Sequence, residues 1–371
     1  MAIGELAEHE GALRLEIAIS PNSGYFCGMR PFRLFPRFCN CHRAIMLATF
    51  ITLAVAAQSQ SDTIILDKRI PDTLTQRVSD SLYSHSLPMK HFHDKARLLE
   101  ILRRHGSRPA DIRHLQEIEQ FEMHYLVFPL RVALVVNPAR PDYTDRERIV
   151  KGIEILNRAI VDTWIQFRPV RWDTIYEPVT INSLKANYYG AYYDFSRKYD
   201  LRDTATLYII DNEEDLCADF ACARTQGFAN ILETYTNNVV IDKFFIDDFK
   251  VMPHEFGHYF GLYHTAETRF GIERVDGAGC SVTGDRICDT PADPGELFAV
   301  YVNYSNCEMK GLKEAGSGLE YQPLINNFMS YYAPCYMRRF SFTSGQLDVM
   351  FNAAVQIRSN QIVELGEMPE F

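Results

Sequence analysis

The spacing of apolar residues changes period several times along this chain. Leu130 to Val136 (LRVALVV) is a β-branched apolar run of the kind that fills a buried strand. From Asp145 to Phe167 the period lengthens. Ile149, Ile153, Ile155, Leu156, Ile160, Val161, Trp164 and Ile165 recur at helical spacing and predict one long amphipathic helix. Val170 to Ile175, Thr204 to Ile210 and Asn238 to Ile241 read as further strands, with a short one at Thr225 to Ile231. Asp194 to Tyr199 reads as a short helix. The tyrosines just before it (Tyr188, Tyr189, Tyr192, Tyr193) read as packing surface rather than a binding platform. Strands alternating with helices predict an α/β layer arrangement. Beyond Thr265 the periodicity thins, and Val275 to Pro294 is rich in Gly, Asp and Pro, as in a structured loop. Thr343 and Gln346 form a capping box that opens a C-terminal helix.

The amino-terminal pattern differs. Ala44 to Ala57 (AIMLATFITLAVAA) is an apolar run too short to span a bilayer comfortably. It follows Arg30, Arg33, Arg37 and Arg43 and ends in small residues, which predicts a signal peptide over 1–57 cleaved after Ala57 or Ala56. The competing assignment is a buried apolar helix. Glu5, Glu8, Glu10 and Glu16 do not suit a signal and point to a translation start at Met29. No other stretch is long and apolar enough to cross a membrane. Residues 58–125 are polar, with amphipathic helical spacing at Lys95 to Arg104 and Arg113 to Met123.

Composition narrows the function classes. A net charge of −10 argues against nucleic acid as the main partner. Six cysteines follow the expected cleavage site (Cys217, Cys222, Cys280, Cys288, Cys307 and Cys335), an even number that suits disulfides in an exported chain, secreted or periplasmic. Cys217 and Cys222 are close enough in sequence to bridge locally.

The chemistry is concentrated in His254 to His264, HEFGHYFGLYH. On a helix, His254 and His258 share a face and can address one metal ion. Glu255 sits beside the first ligand, within reach of a water on that ion. Gly261 can take a positive φ, end the helix sharply and let His264 fold back as a third ligand. Three imidazoles plus an open position suit catalytic zinc, with Glu255 as general base and acid. Pro253 directly precedes the first ligand. The helix therefore either begins near Lys250 to Met252 or bends just before His254. After residue 124 the chain has no histidine outside the motif, so no second histidine metal site and no His-dependent triad competes with it.

HEFGHYFGLYHT followed by NNFMSYYAPC resembles the pappalysin family of metzincin metalloproteases, and GDRICDTPADP (284–294), FTSGQ (342–346) and LNRAIV (156–161) extend the resemblance over roughly Leu130 to Gln356. It implies a twisted mixed sheet with a back helix and a zinc helix above the cleft. Below lies a smaller irregular part with the C-terminal helix. It implies a zinc endopeptidase that binds protein or peptide in extended form beside the strand near Thr225 to Ile231. Met329 would form an apolar floor under the histidines, and Tyr331 would swing to the oxyanion. Residues 58–125 would be a pro-segment and 126–371 the catalytic domain. Asp285, Asp289, Thr290 and Asp293 lie where relatives bind calcium; the alternative is an ion-free loop of Asx turns. In this region Cys280–Cys288 with Cys307–Cys335 is the favoured pairing, and Cys280–Cys307 with Cys288–Cys335 the runner-up. The competing function is a non-catalytic zinc-binding protein of the same fold, whose mark would be a lost ligand or a lost glutamate; this chain has lost neither. The stretch Tyr331 to Tyr336 lacks the acid by which some relatives select arginine, and 58–125 lacks a cysteine for latency.

Overall fold

The protein is described from a computed structural model, which covers residues 72–85, 125–141, 144–211, 225–232, 236–335 and 339–366. The expected signal (1–57), most of the expected pro-segment with its two anticipated helices, and the Cys217–Cys222 pair lie outside these residues.

Strand β1 (Tyr125–Val136) is an interior strand of the sheet, buried on both faces. It runs parallel to β2 (Ile165–Tyr176) on one side and to β3 (Ala205–Ile210) on the other. Beyond β3 lie β5 (Asn238–Asp242), parallel, and β4 (Gly227–Ala229), the antiparallel edge. A last strand, β8 (Glu364–Gly366), pairs antiparallel with the start of β1. Alternate residues of β1 serve two cores: Leu130 and Val132 face one, Ala133 and Val135 the other. Burial on both faces is what a parallel sheet covered by helices requires.

The anticipated long helix over 145–167 is two elements. Helix α2 (Arg146–Ala159), capped by Asp145, stops at Ile160, a single 3₁₀ turn follows, and β2 begins at Ile165. Asn157 explains the break. Its side chain accepts from Phe167 N–H and donates to Phe167 C=O, both at 2.9 Å, folding the chain back on itself. Trp164, with φ 56°, makes the turn. Apolar residues continue across the corner because helix and strand face the same core, so their spacing alone does not reveal it.

The first core also holds the helix of the histidine motif, α5 (Val251–Tyr259), every residue of which is buried, and α6 (Ser344–Gln356). Helices α3 (Ile181–Ala186) and α4 (Tyr193–Tyr199) cover the opposite face. Tyr192 is fully buried there and donates to Asn238 Oδ1 at 2.8 Å. Between α5 and α6 the chain is mostly loop, with a 3₁₀ helix at Glu296–Tyr301 and a small hairpin of β6 (Val302–Asn303) and β7 (Glu308–Met309). Cys280 is bonded to Cys288 and Cys307 to Cys335, the favoured pairing. No helix among the described residues is long and apolar enough to cross a membrane.

Candidate active site

Helix α5 starts early enough that Pro253 is its third residue. There a missing N–H costs nothing, because the first-turn donors lack intrahelical partners anyway. Asp248, which the sequence reading missed, accepts from the N–H groups of Lys250 (2.8 Å) and Val251 (3.1 Å) at this helix start. At the other end Gly261 has φ 98° and closes the helix through bonds from Gly261 N–H to His258 C=O and from Leu262 N–H to Gly257 C=O. A Cβ at Gly261 would also meet the Leu232 side chain at 2.8–2.9 Å, so this position needs both the backbone freedom and the space.

The bend brings His264 back over the helix. His258 Nε2 lies 2.9 Å from His264 Nε2, which is 3.2 Å from His254 Nε2. The outer nitrogens are all engaged: His254 Nδ1 with Phe328 C=O at 2.6 Å, His258 Nδ1 with Leu262 C=O at 2.7 Å, His264 Nδ1 with the Tyr331 hydroxyl at 3.2 Å. A carbonyl only accepts, so His254 and His258 carry their protons on Nδ1 and aim unprotonated Nε2 atoms inward. Burial pushes all three imidazoles below their ordinary range, His258 to about 4, and for His254 and His264 the neighbouring histidines add to the effect. Three neutral nitrogens directed at one point repel each other unless a cation lies between them, and their mutual spacing suits tetrahedral zinc. They are the one group of three such ligands among the described residues.

Met329 is fully buried on the turn after the lower loop. Its N–H donates to Asn327 Oδ1, and Asn327 also exchanges hydrogen bonds with Gln346, the capping-box residue of α6. The methionine turn is thereby fastened to the C-terminal helix, and through Phe328 C=O to the first histidine. Gly257 makes the close approach possible: a Cβ there would stand 2.5 Å from Met329 Sδ. Neither this glycine nor Lys185 was singled out by spacing. Tyr331 is exposed, its ring 4.2 Å from that of His264, so here its hydroxyl orients a ligand rather than facing the point where the Nε2 atoms meet.

Glu255 is 7 % exposed and packs against the edge strand, where a Cβ on Gly227 would lie 3.0 Å from its Cγ. Burial pushes its carboxyl up to about 8; the Lys185 ammonium and a bond from Ala229 N–H pull the other way. Lys185, on α3, donates to Thr225 Oγ1 at 3.3 Å.

The loop acids are each hydrogen-bonded within the protein. Asp285 accepts from Thr290 Oγ1 and Ile287 N–H, Asp289 from Thr343 Oγ1 and Gly345 N–H, and Asp293 from Thr265 Oγ1, Tyr332 OH and Gly295 N–H. Each carboxylate serves a different protein group. These bonds close turns and tie Asp289 to the start of α6, and they lend the calcium expectation no support.

A buried H-E-x-x-H helix, a third histidine beyond a glycine bend and a methionine turn beneath them form a three-histidine group that could hold a metal ion, on an α/β sheet. Residues 226–355 match the model of the peptidase family described as pregnancy-associated plasma protein-A. Extracellular metalloproteases of Neurospora crassa and Sordaria macrospora are 35 % and 33 % identical to this chain over 111 residues. Each match spans 30 % of this chain and 31 % of the relative. Metalloproteinase-II from Bacteroides fragilis aligns over 38 % of this chain and 45 % of its own at 12 % identity, with a TM-score of 0.26, which is too low to bear on the fold.

Proposed function

We propose that the protein is an exported zinc-dependent endopeptidase that hydrolyses peptide bonds in protein substrates. The observation that carries this reading is the meeting of three Nε2 atoms 2.9–3.2 Å apart, each imidazole anchored through its other nitrogen, beside a buried glutamate. Zinc held by His254, His258 and His264 supplies Lewis-acid polarisation of a carbonyl and acidifies water.

The chain's own groups do the rest. An extended peptide adds to β4, the last strand in the sheet order among the described residues, by strand pairing, which carries its scissile bond past Glu255. Glu255 accepts a proton from the attacking water and passes it to the leaving nitrogen. Its buried position suits both halves of that task, because a raised carboxyl pKa keeps the proton transferable in either direction near neutral pH. Tyr331 holds His264 in the resting arrangement and, on leaving it, donates to the developing oxyanion. Met329 keeps the floor of the site apolar and tightly packed. Export is supported by the two disulfides, which persist in oxidising compartments, and by the basic-then-apolar pattern before Gln58.

The test is Glu255→Ala, assayed on a mixed peptide library at matched zinc content. Loss of cleavage is expected; cleavage persisting at the wild-type rate would remove Glu255 from the mechanism.

A further inference from the structure

Helix α1 (Asp72–His85) lies within the stretch for which a detachable pro-segment is the expectation. A segment destined for release should rest on a surface that the mature protein can expose to water. The contacts of α1 are of another kind. Leu82 is 1 % exposed and belongs to the same core as Phe260 and Leu262. Ser79, equally buried, shares a hydrogen bond of 2.8 Å with the Tyr263 hydroxyl. Tyr83 donates to Gly261 C=O at 2.9 Å, and its ring lies 5.8 Å from that of Tyr263. Arg286 closes the outer side. Its guanidinium sits over the rings of Tyr83 (4.9 Å) and Phe270 (5.0 Å) and donates to Asp80 at 2.8 Å.

Among the residues this helix touches, Gly261 and Tyr263 belong to the bend that delivers His264. Helix ends leave carbonyls without intrahelical partners, and Tyr83 satisfies one at the turn itself. Withdrawing α1 would strip the Gly261 carbonyl and the Tyr263 hydroxyl of these bonds and open the core at Leu82 to water. We infer that α1 is a permanent brace of the third-ligand bend, with Tyr83 and Ser79 as positioning residues for His264. It is not part of a segment shed on maturation. A maturation cut either falls upstream of Asp72 or leaves α1 bound. The inference rests on the reading that the three histidines hold zinc.

Two measurements test it. In the first, a site for a specific protease is inserted between His105 and Gly106 of the full-length chain. After cutting, the fragment carrying α1 should co-elute with the remainder on native gel filtration and separate only in denaturant. A fragment that leaves while the remainder keeps its zinc and melting temperature overturns the brace. In the second, Tyr83→Phe and Ser79→Ala are loaded with cobalt(II) in place of zinc. Their visible ligand-field spectrum should shift, and metal loss to a chelator should quicken on the order of 10-fold, with far-ultraviolet circular dichroism unchanged. Spectra and loss rates equal to wild type in both variants also overturn it. If the wild-type protein binds neither zinc nor cobalt, the functional reading fails instead, and gel filtration alone decides the brace.

Discussion

Gly257 lies against Met329 so closely that any side chain at this position would displace the sulfur, since a Cβ would stand 2.5 Å from Sδ. In an ordinary helix interior, glycine to alanine gains about 0.5–1 kcal/mol. Here the overlap reverses the sign, because overpacking a close-packed site costs about 1–3 kcal/mol. Gly257→Ala should lower the melting temperature and weaken zinc retention, and Met329→Ala in the same chain should restore part of both. Thermal melts with a chelator competition read this out, and a Gly257→Ala protein more stable than wild type would contradict it.

Gly261→Ala meets two obstacles, the positive φ of 98° and the Leu232 side chain at 2.8–2.9 Å. Adding Leu232→Ala removes only the second. The single variant should lose zinc faster than wild type, and the double variant should recover incompletely, leaving a residue of about 1 kcal/mol from the backbone conformation. Full recovery would show that φ is not limiting.

The Glu255 carboxyl, pushed up to about 8 by burial, makes a pH-dependent prediction for metal-free protein. A raised carboxyl pKa contributes stability below the unfolded value near 4.5, and that contribution is lost as pH climbs toward 8. Glu255→Gln has no such group. The melting temperature of the variant should therefore rise relative to wild type between pH 5 and about 8, measured after zinc is chelated. A difference that stays constant across that range would mean the carboxyl is not held neutral by burial.

The Cys307–Cys335 bond closes a loop with a sequence separation of 28 and is buried with Met309, Ile325 and Tyr332. Replacing both cysteines with serine should cost about 3 kcal/mol, and replacing Cys280 and Cys288, with a separation of 8, should cost less. Denaturant melts of the two double variants give the ranking. The reverse order would show that packing around the smaller loop outweighs chain entropy.

Much of the site was legible before any fold was known. The spacing of His254, Glu255, His258, Gly261 and His264 already marks the candidate ligands, the candidate base and the bend, since all depend on one helix and its exit. Thr343 and Gln346 likewise announced their helix, because a capping box is local. The corner at Asn157 was not legible: the bond to Phe167 that makes it joins residues whose spacing fits one continuous helix. Lys185 beside Glu255, Gly257 above Met329, and Tyr83 on Gly261 left no mark either, because each meets a partner from another element.

The sequence by itself determined which groups can bind a metal and move a proton, because those properties follow from residue type and from spacing within a turn or two. Only the tertiary structure decided where the outer nitrogens of the histidines are anchored, which backbone and hydroxyl groups the loop acids hold, and that a helix far upstream packs on the bend before His264. Those are contacts between distant segments, selected by how whole helices pack on the sheet, and local periodicity carries no record of them.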